Sequence, residues 1–97
     1  MLTPKQKQFL RGLAHALSPV VRIGKAGLTP AVINEAKKSL EAHELIKVRI
    51  EADDAESRAS IADELERATD GSLAGTIGKL AILYRARAER PKIRLPK

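Results

Sequence analysis

Residues 20–30 read Val-Val-Arg-Ile-Gly-Lys-Ala-Gly-Leu-Thr-Pro, and this stretch decides the fold. Its first four residues are a short apolar run typical of a buried strand. Gly24 and Gly27 follow, and glycine lets a backbone turn sharply and come close to a ligand. Thr29 and Pro30 then provide an N-cap and a first helical residue. The stretch therefore predicts a strand that runs through a glycine loop into the start of a helix.

The predicted loop has the features of an anion site. A helix N-terminus presents free N–H groups and a partial positive charge, which together suit a phosphate. Lys25 adds a full charge at the tip of the loop. A lone G-x-x-G is a weak signal, and the alternative is a tight strand-to-helix turn with a surface lysine. The candidate phosphate-binding residues of this stretch are Arg22, Gly24, Lys25, Ala26, Gly27 and Thr29.

A first helix is predicted before this stretch. Thr3-Pro4 is a cap followed by proline, and Gln6 completes a capping box. Ser18-Pro19 is expected to end the helix. Helical spacing predicts that one apolar face packs in the core, formed by Phe9, Leu10, Leu13, Ala14 and Leu17.

After the loop, the second helix is expected to fray near His43-Glu44, and a half-buried strand follows over residues 45–50. In that strand, apolar residues at 46, 48 and 50 alternate with Lys47 and Arg49. Lys47 and Arg49 are candidate contacts for a ligand. An ordinary solvated strand face is the alternative interpretation of the same pair.

The second half of the chain predicts a helix and a hairpin. Asp53 or Asp54 caps a third helix, and Asp70-Gly71 ends it, with the glycine in a left-handed conformation. Residues 73–77 form a weak strand that Gly75 loosens, and residues 79–85 form a stronger one. Gly78-Lys79 is the predicted hairpin turn. The basic tail, from about residue 86, is expected to be partly extended or disordered.

The element order α-β-α-β-α-β-β predicts the α/β class. Strands separated by helices imply parallel crossovers, and the last two strands imply an antiparallel hairpin. The expectation for residues 1–97 is a single small domain with a mixed four-stranded sheet and helices packed on it.

Charge is unevenly distributed along the chain. The formal net charge is +6, made of +5 in residues 1–34, −5 in residues 35–71 and +6 in residues 72–97. Such segregation favours a basic face that binds a polyanion. The C-terminal third adds two candidate contacts, Arg85 and Arg87.

Several classes of function are disfavoured. The chain has no cysteine, so it has no disulfide and no thiolate metal site. The glycine-lysine pairs fail the nucleotide-hydrolysis pattern, and the two histidines lie 28 positions apart. Two aromatic residues are too few for base stacking, which favours phosphate and sugar contacts. With no apolar signal core or membrane-length run, we expect a cytoplasmic protein without cofactor, metal, small-molecule substrate or membrane partner.

The chain resembles the CRM-domain (YhbY-like) family of RNA-binding proteins over roughly residues 3–95. It departs from the family at Leu73-Ala74-Gly75-Thr76, where the family tends to carry valine-glutamine-type strand residues, so an irregular third strand is expected. The resemblance rests on blocks in matching order: residues 5–15 (KQKQFLRGLAH), 19–29 (PVVRIGKAGLT), 43–48 (HELIKV), 77–79 (IGK) and 83–85 (LYR).

This resemblance implies a fold similar to the C-terminal domain of translation initiation factor three. It also implies that the loop at residues 24–27 contacts RNA, and that the protein associates with ribosomal RNA in precursors of the large subunit. The leading hypothesis is thus a non-enzymatic RNA-binding protein of ribosome assembly. Two alternatives stay open: an adaptor whose acidic middle helices bind a protein, and a nucleoid protein that binds duplex DNA.

Overall fold

The computed structural model describes residues 2–97 and contains three helices and four strands in the predicted order. None of the helices in this range is long and apolar enough to cross a membrane. The elements are α1 (Pro4–Ala14), β1 (Val21–Ile23), α2 (Pro30–His43), β2 (Leu45–Ile50), α3 (Ala55–Thr69), β3 (Ser72–Ile77) and β4 (Leu80–Tyr84).

The four strands form one mixed sheet in the order β1-β2-β4-β3. β1 and β2 are parallel, with Arg22 opposite Arg49, and α2 is the crossover between them. β4 is antiparallel to both β2 and β3, and Gly78-Lys79 forms the hairpin turn. The predicted α/β class, the mixed four-stranded sheet and the hairpin are confirmed.

Each face of the sheet carries its own apolar core. α2 and α3 cover one face, and the larger core there includes Ile46, Val48 and Ile50, as the alternation in β2 predicts. α1 packs on the other face, mainly against β3. Because β3 and β1 are the two edges of the sheet, α1 leaves the β1 side of that face open. The smaller core under α1 consists of Leu10, Ala14, Leu45, Ala74, Ile82 and Tyr84.

The helix starts follow the predicted capping chemistry. Thr3 accepts the Gln6 N–H at 3.1 Å, and the Gln6 side chain accepts the Thr3 N–H at 3.0 Å, which completes the capping box. Thr29 caps α2 by accepting the Val32 N–H. Of the two aspartates considered for α3, Asp54 is the N-cap.

The apolar face expected for the first helix is only half correct. Leu10 and Ala14 are buried, but Phe9, Leu13 and Leu17 are 38%, 43% and 39% exposed. α1 ends at Ala14, four residues before the predicted stop, and Leu17 lies in the turn that follows. The helix meets the sheet along a narrow line, so side chains to either side of that line stay in contact with solvent.

The end of α3 also differs from the expectation. Asp70, not Gly71, adopts the left-handed conformation, with φ 57°. Gly71 is needed for space, because a Cβ there would lie 3.0 Å from Leu83 Cδ1 and 3.1 Å from Thr69 Oγ1. Packing of the chain against β4 therefore explains this glycine better than backbone freedom does.

The third strand is irregular, as expected from its departure from the family pattern. Its pairing with β4 shifts between Leu73 and Gly75, which is a β-bulge. Arg11 of α1 lies over this position and donates to the Ala74 carbonyl at 3.0 Å. A Cβ on Gly75 would lie 2.9 Å from Arg11 Cδ, so the glycine makes room for α1.

Candidate nucleic-acid interface

The glycine loop, the residue after β2 and the β3–β4 hairpin all lie at one end of the sheet. β1 and β2 are parallel, so their carboxyl ends meet there, and the Glu51 N–H donates to the Ile23 carbonyl at 2.9 Å. The Ile50 N–H donates to the Lys79 carbonyl at 2.7 Å, which places the hairpin beside them. We call this region the loop end: residues 24–27, Glu51, Gly78 and Lys79, together with Arg22 and Arg49 near the carboxyl ends of β1 and β2.

The loop itself is a tight exposed turn. The Gly27 N–H donates to the Gly24 carbonyl at 3.0 Å, and Lys25 and Ala26 are exposed between them. Gly27 has φ +78°, in the left-handed region that favours glycine, whereas Gly24 does not have a positive φ. A Cβ on either glycine would have no neighbour within 4 Å, so the surface of the loop is open to a ligand.

The start of α2 offers fewer donors to that ligand than the sequence suggests. Pro30 has no N–H, and the Val32 N–H is taken by the Thr29 side chain at 3.2 Å. Of the first three helical residues, Pro30, Ala31 and Val32, only Ala31 has an N–H without a partner among residues 2–97. Lys25 and the partial charge of the helix are therefore the main attraction for an anion here.

Two arginines extend the positive charge onto the open face of the sheet. Arg22 on β1 and Arg49 on β2 are register partners. The Arg49 Nε atom lies 2.6 Å from a Glu51 carboxylate oxygen. That hydrogen bond is the main cause of the lowered pKa of Glu51, and the charges of Arg49, Arg22 and Lys79 lower it further.

Lys79 is a cation of this region that the sequence interpretation left out. It stands in the predicted hairpin, but nothing in the sequence places that hairpin beside the glycine loop. The strand order supplies the reason, because β4 pairs antiparallel to β2 and so starts where β2 ends. With the correct strand order, Lys79 would have been predicted as a candidate ligand contact.

Lys47 occupies a different position from the other candidates. Its Nζ atom donates to the Leu17 carbonyl at 2.9 Å, so it holds the segment that follows α1. The side chain is half-buried. This contact explains why a cation lies in the middle of the sheet, and the explanation requires no ligand. A role for Lys47 in RNA binding stays a prediction.

Arg85 and Arg87 lie at the opposite end of the sheet, where β4 ends. Arg85 donates to the Thr69 carbonyl at 2.9 Å, at the end of α3. Arg87 donates to the Glu41 and Ala42 carbonyls at 2.8 and 2.6 Å, in the last turn of α2. Both arginines thus satisfy carbonyl groups that helices leave unpaired at their C-termini. The structure does not bring them to the loop, and their contact with a ligand stays a prediction.

Glu44 organises this second region and was missed in the sequence. It has φ 64°, is fully buried, and its carboxylate accepts the N–H groups of Arg87, Lys92 and Ile93 at 3.0, 2.5 and 3.0 Å. Burial alone raises the pKa of Glu44, but those three hydrogen bonds and the Arg87 charge lower it by more. We call Glu44, Arg85 and residues 86–97 the tail end.

The tail is irregular but packed. Ile93 and Leu95 contact the smaller core, and the Gln6 side chain donates to the Pro96 carbonyl at 3.0 Å. The tail was expected to be partly extended or disordered, and it forms neither helix nor strand. Its lack of helical or strand periodicity hides the fact that the segment is held, because its main partner is a carboxylate 43 to 49 residues earlier.

The fold and the loop end together define a class of small α/β domains. In this class a glycine turn connects a strand to the N-terminus of a helix, and a lysine in the turn lies on a basic surface. Within that class, residues 2–85 match the model of the CRS1 / YhbY (CRM) domain. The chain belongs to this family, as the sequence blocks predicted.

Relatives match over almost the full chain. An RNA-binding protein of Haemophilus influenzae is 46% identical over 96 residues, which cover 99% of this chain and 96% of that protein. "Probable RNA-binding protein YqeI" of Bacillus subtilis is 40% identical, with 99% and 100% covered. The solution structure of SAV1595, a candidate RNA-binding protein of Staphylococcus aureus, superposes with a TM-score of 0.89 at 38% identity, with 99% and 100% covered.

Proposed function

We propose that this protein binds RNA without catalysing a reaction, and that the loop end contacts the sugar-phosphate backbone. The names of the relatives support RNA as the ligand. The partner we propose is ribosomal RNA in precursors of the large subunit, bound in the cytoplasm during ribosome assembly. The protein uses no cofactor in this proposal.

The observation that carries the proposal is the exposed turn at residues 24–27. Lys25 is exposed in a turn whose two glycines face open space, five residues before the first residue of a 14-residue helix and three residues after the exposed Arg22. A backbone phosphate can approach such a turn closely and meet a charge, a helix dipole and a second cation. Contacts of this type position an RNA and read its shape more than its bases.

The test is the double variant Lys25→Asp/Ala26→Asp. Both positions are exposed and both glycines remain, so the melting temperature should stay close to that of the wild type. Affinity for transcribed large-subunit ribosomal RNA should fall by at least tenfold, because repulsion replaces attraction. The affinity should also lose part of its dependence on salt, since fewer phosphates are neutralised.

A charge-matched control is Lys37→Glu/Ala88→Asp. It changes the net charge by the same amount at two exposed positions away from the loop. Equal losses in both double variants would show that only net charge matters, and unchanged affinity of the loop variant would reject the loop as the RNA site. Crosslinking in cells and sequencing of bound nucleic acid tests the partner: recovery of messenger RNA, DNA or nothing contradicts the role in assembly.

A further inference from the structure

The loop end contains a carboxylate in a place where a phosphate would be expected. Glu51 is bonded to Arg49 in the one salt bridge present within residues 2–97, and the charges of Arg22 and Lys79 also act on it. We propose that Glu51 is an internal substitute for an RNA phosphate. In this proposal, which rests on the proposed function, a phosphate displaces Glu51 and binds the cluster of Arg22, Arg49 and Lys79.

Three separate elements bring the cations together. Arg22 and Arg49 are partners on neighbouring parallel strands, which are about 4.8 Å apart in a sheet. Lys79 comes from the hairpin. Its carbonyl accepts the N–H of Ile50, the residue just before Glu51. The backbone of Glu51 is fixed by its N–H bond to Ile23. The carboxylate is therefore a tethered anion on which the charges of all three cations act.

The chemistry of the cluster suits a phosphodiester. Guanidinium groups bind the oxygens of carboxylates and phosphates in the same geometry, so one can replace the other. The side chains of Arg49 and Glu51 are 40% and 28% exposed, so their ion pair is accessible to a ligand. Exposed ion pairs contribute little to stability, and exchange of partners is correspondingly easy.

The position of the cluster favours a polymer over a free phosphate ion. A single phosphate competes with Glu51 at the effective concentration of a tethered group. An RNA strand held at the Lys25 turn delivers its next phosphates to the cluster with the same advantage. Glu51 thus weakens the binding of isolated anions. It favours ligands that occupy the turn and the cluster together.

A neighbouring acid supplies a matched control. Glu35 of α2 lines a shallow cavity of about 440 Å³ together with Arg22 and Arg49. It forms no ion pair within residues 2–97, whereas Glu51 does. Glu35→Gln removes the same charge from the same neighbourhood without freeing a bonded arginine, so it measures the general effect of one negative charge.

The experiment compares Glu51→Gln with Glu35→Gln, using transcribed large-subunit ribosomal RNA as the probe at two or more salt concentrations. We expect Glu51→Gln to raise affinity about three- to tenfold, because no carboxylate has to be displaced. The log–log salt slope should steepen by up to roughly one unit, because the wild type releases a carboxylate that takes up a cation from solution and the variant does not. Glu35→Gln should raise affinity by less than Glu51→Gln does, because it removes a nearby charge without freeing a bonded arginine. A loss of affinity in Glu51→Gln, or a gain equal to that of Glu35→Gln, overturns the proposal.

A second variant separates this proposal from the function on which it rests. Lys79→Gln should lower affinity several-fold, and it should reduce the gain that Glu51→Gln gives, because the two changes act on one cluster. If the double-aspartate loop variant keeps full affinity, the proposed function fails. If that variant loses affinity but Glu51→Gln gains none, the loop is the RNA site and only the role of Glu51 is wrong.

Discussion

The two ends of the sheet each carry a pair of arginines, and the pairs have different surroundings. At the loop end, Arg22 and Arg49 lie on an open face, and their neighbouring anion is a half-buried carboxylate that solvent still reaches. At the tail end, Arg85 and Arg87 donate to three main-chain carbonyls at the ends of α2 and α3. A count of basic residues does not distinguish the two pairs. In the structure, Arg22 and Arg49 are accessible to a ligand, whereas Arg85 and Arg87 stabilise the fold.

The largest expected effect of a single substitution is at the tail end, in Glu44→Ala. Three N–H groups lose their acceptor, so the variant should be less stable by about 2–3 kcal/mol. Chemical denaturation measures this loss, and hydrogen exchange at Arg87, Lys92 and Ile93 should show that the tail opens first. Wild-type protection at those amides would contradict the role given to Glu44.

Acid provides a second measurement of the same contact. Because folding lowers the pKa of Glu44 below its ordinary value of 4.5, its contribution to stability is complete above that value. The contribution is lost as the pH falls through the folded pKa. The difference in free energy of unfolding between wild type and Glu44→Gln should therefore be constant near neutral pH and shrink as the pH falls below the ordinary value of 4.5. A difference that is unchanged at pH 3 would show that folding does not lower the pKa of Glu44.

A smaller effect is expected when one arginine from each end is compared. Arg87→Gln should cost about 1–2 kcal/mol of stability, because it loses two bonds from a charged donor to carbonyl oxygens. Arg22→Gln is at an exposed strand position and should change stability by less than about 0.5 kcal/mol.

Affinity for RNA should follow the opposite order. Arg22→Gln should weaken binding by roughly 1 kcal/mol or more. Arg87→Gln should have less effect on the folded protein. Thermal denaturation and a binding titration on the same two samples are sufficient. If Arg87→Gln weakens binding as much as Arg22→Gln at equal stability, the tail end is also a contact surface.

Short-range patterns in the sequence account for most of the fold. Caps such as Thr3 and Thr29 act on residues three positions away, and the alternation in β2 repeats every second residue. These signals are local, so they identify the elements and their order. They also identify the glycine turn, because strand, turn and helix start are adjacent in the chain.

The features that were missed depend on contacts between distant residues. Glu44 looks like a frayed helix end until the tail returns to it, and Lys79 looks like an ordinary hairpin residue until the strand order is known. The exposure of Phe9 and Leu13 depends on the narrow contact between α1 and the sheet. Helical periodicity predicts that one face of a helix is apolar, but it does not predict how much of that face the neighbouring sheet buries.

The smallest expected effect, in Gly24→Ala and Gly27→Ala, distinguishes the roles of the two glycines in the loop. Gly27 has φ +78°, so a Cβ there is strained and should cost about 1 kcal/mol of stability. Gly24 does not have a positive φ, and its Cβ would point into open space, so Gly24→Ala should change stability by less than about 0.5 kcal/mol.

Binding reverses this order if a phosphate approaches the turn. The methyl group of Gly24→Ala is harmless in the free protein, but it occupies the surface that a close backbone phosphate needs. RNA affinity should then fall in Gly24→Ala at unchanged melting temperature. Gly12→Ala, whose added methyl group also meets nothing within 4 Å, is the control outside the loop. Full affinity in Gly24→Ala would mean that the RNA contacts Lys25 at the length of its side chain and does not approach the main chain of the loop.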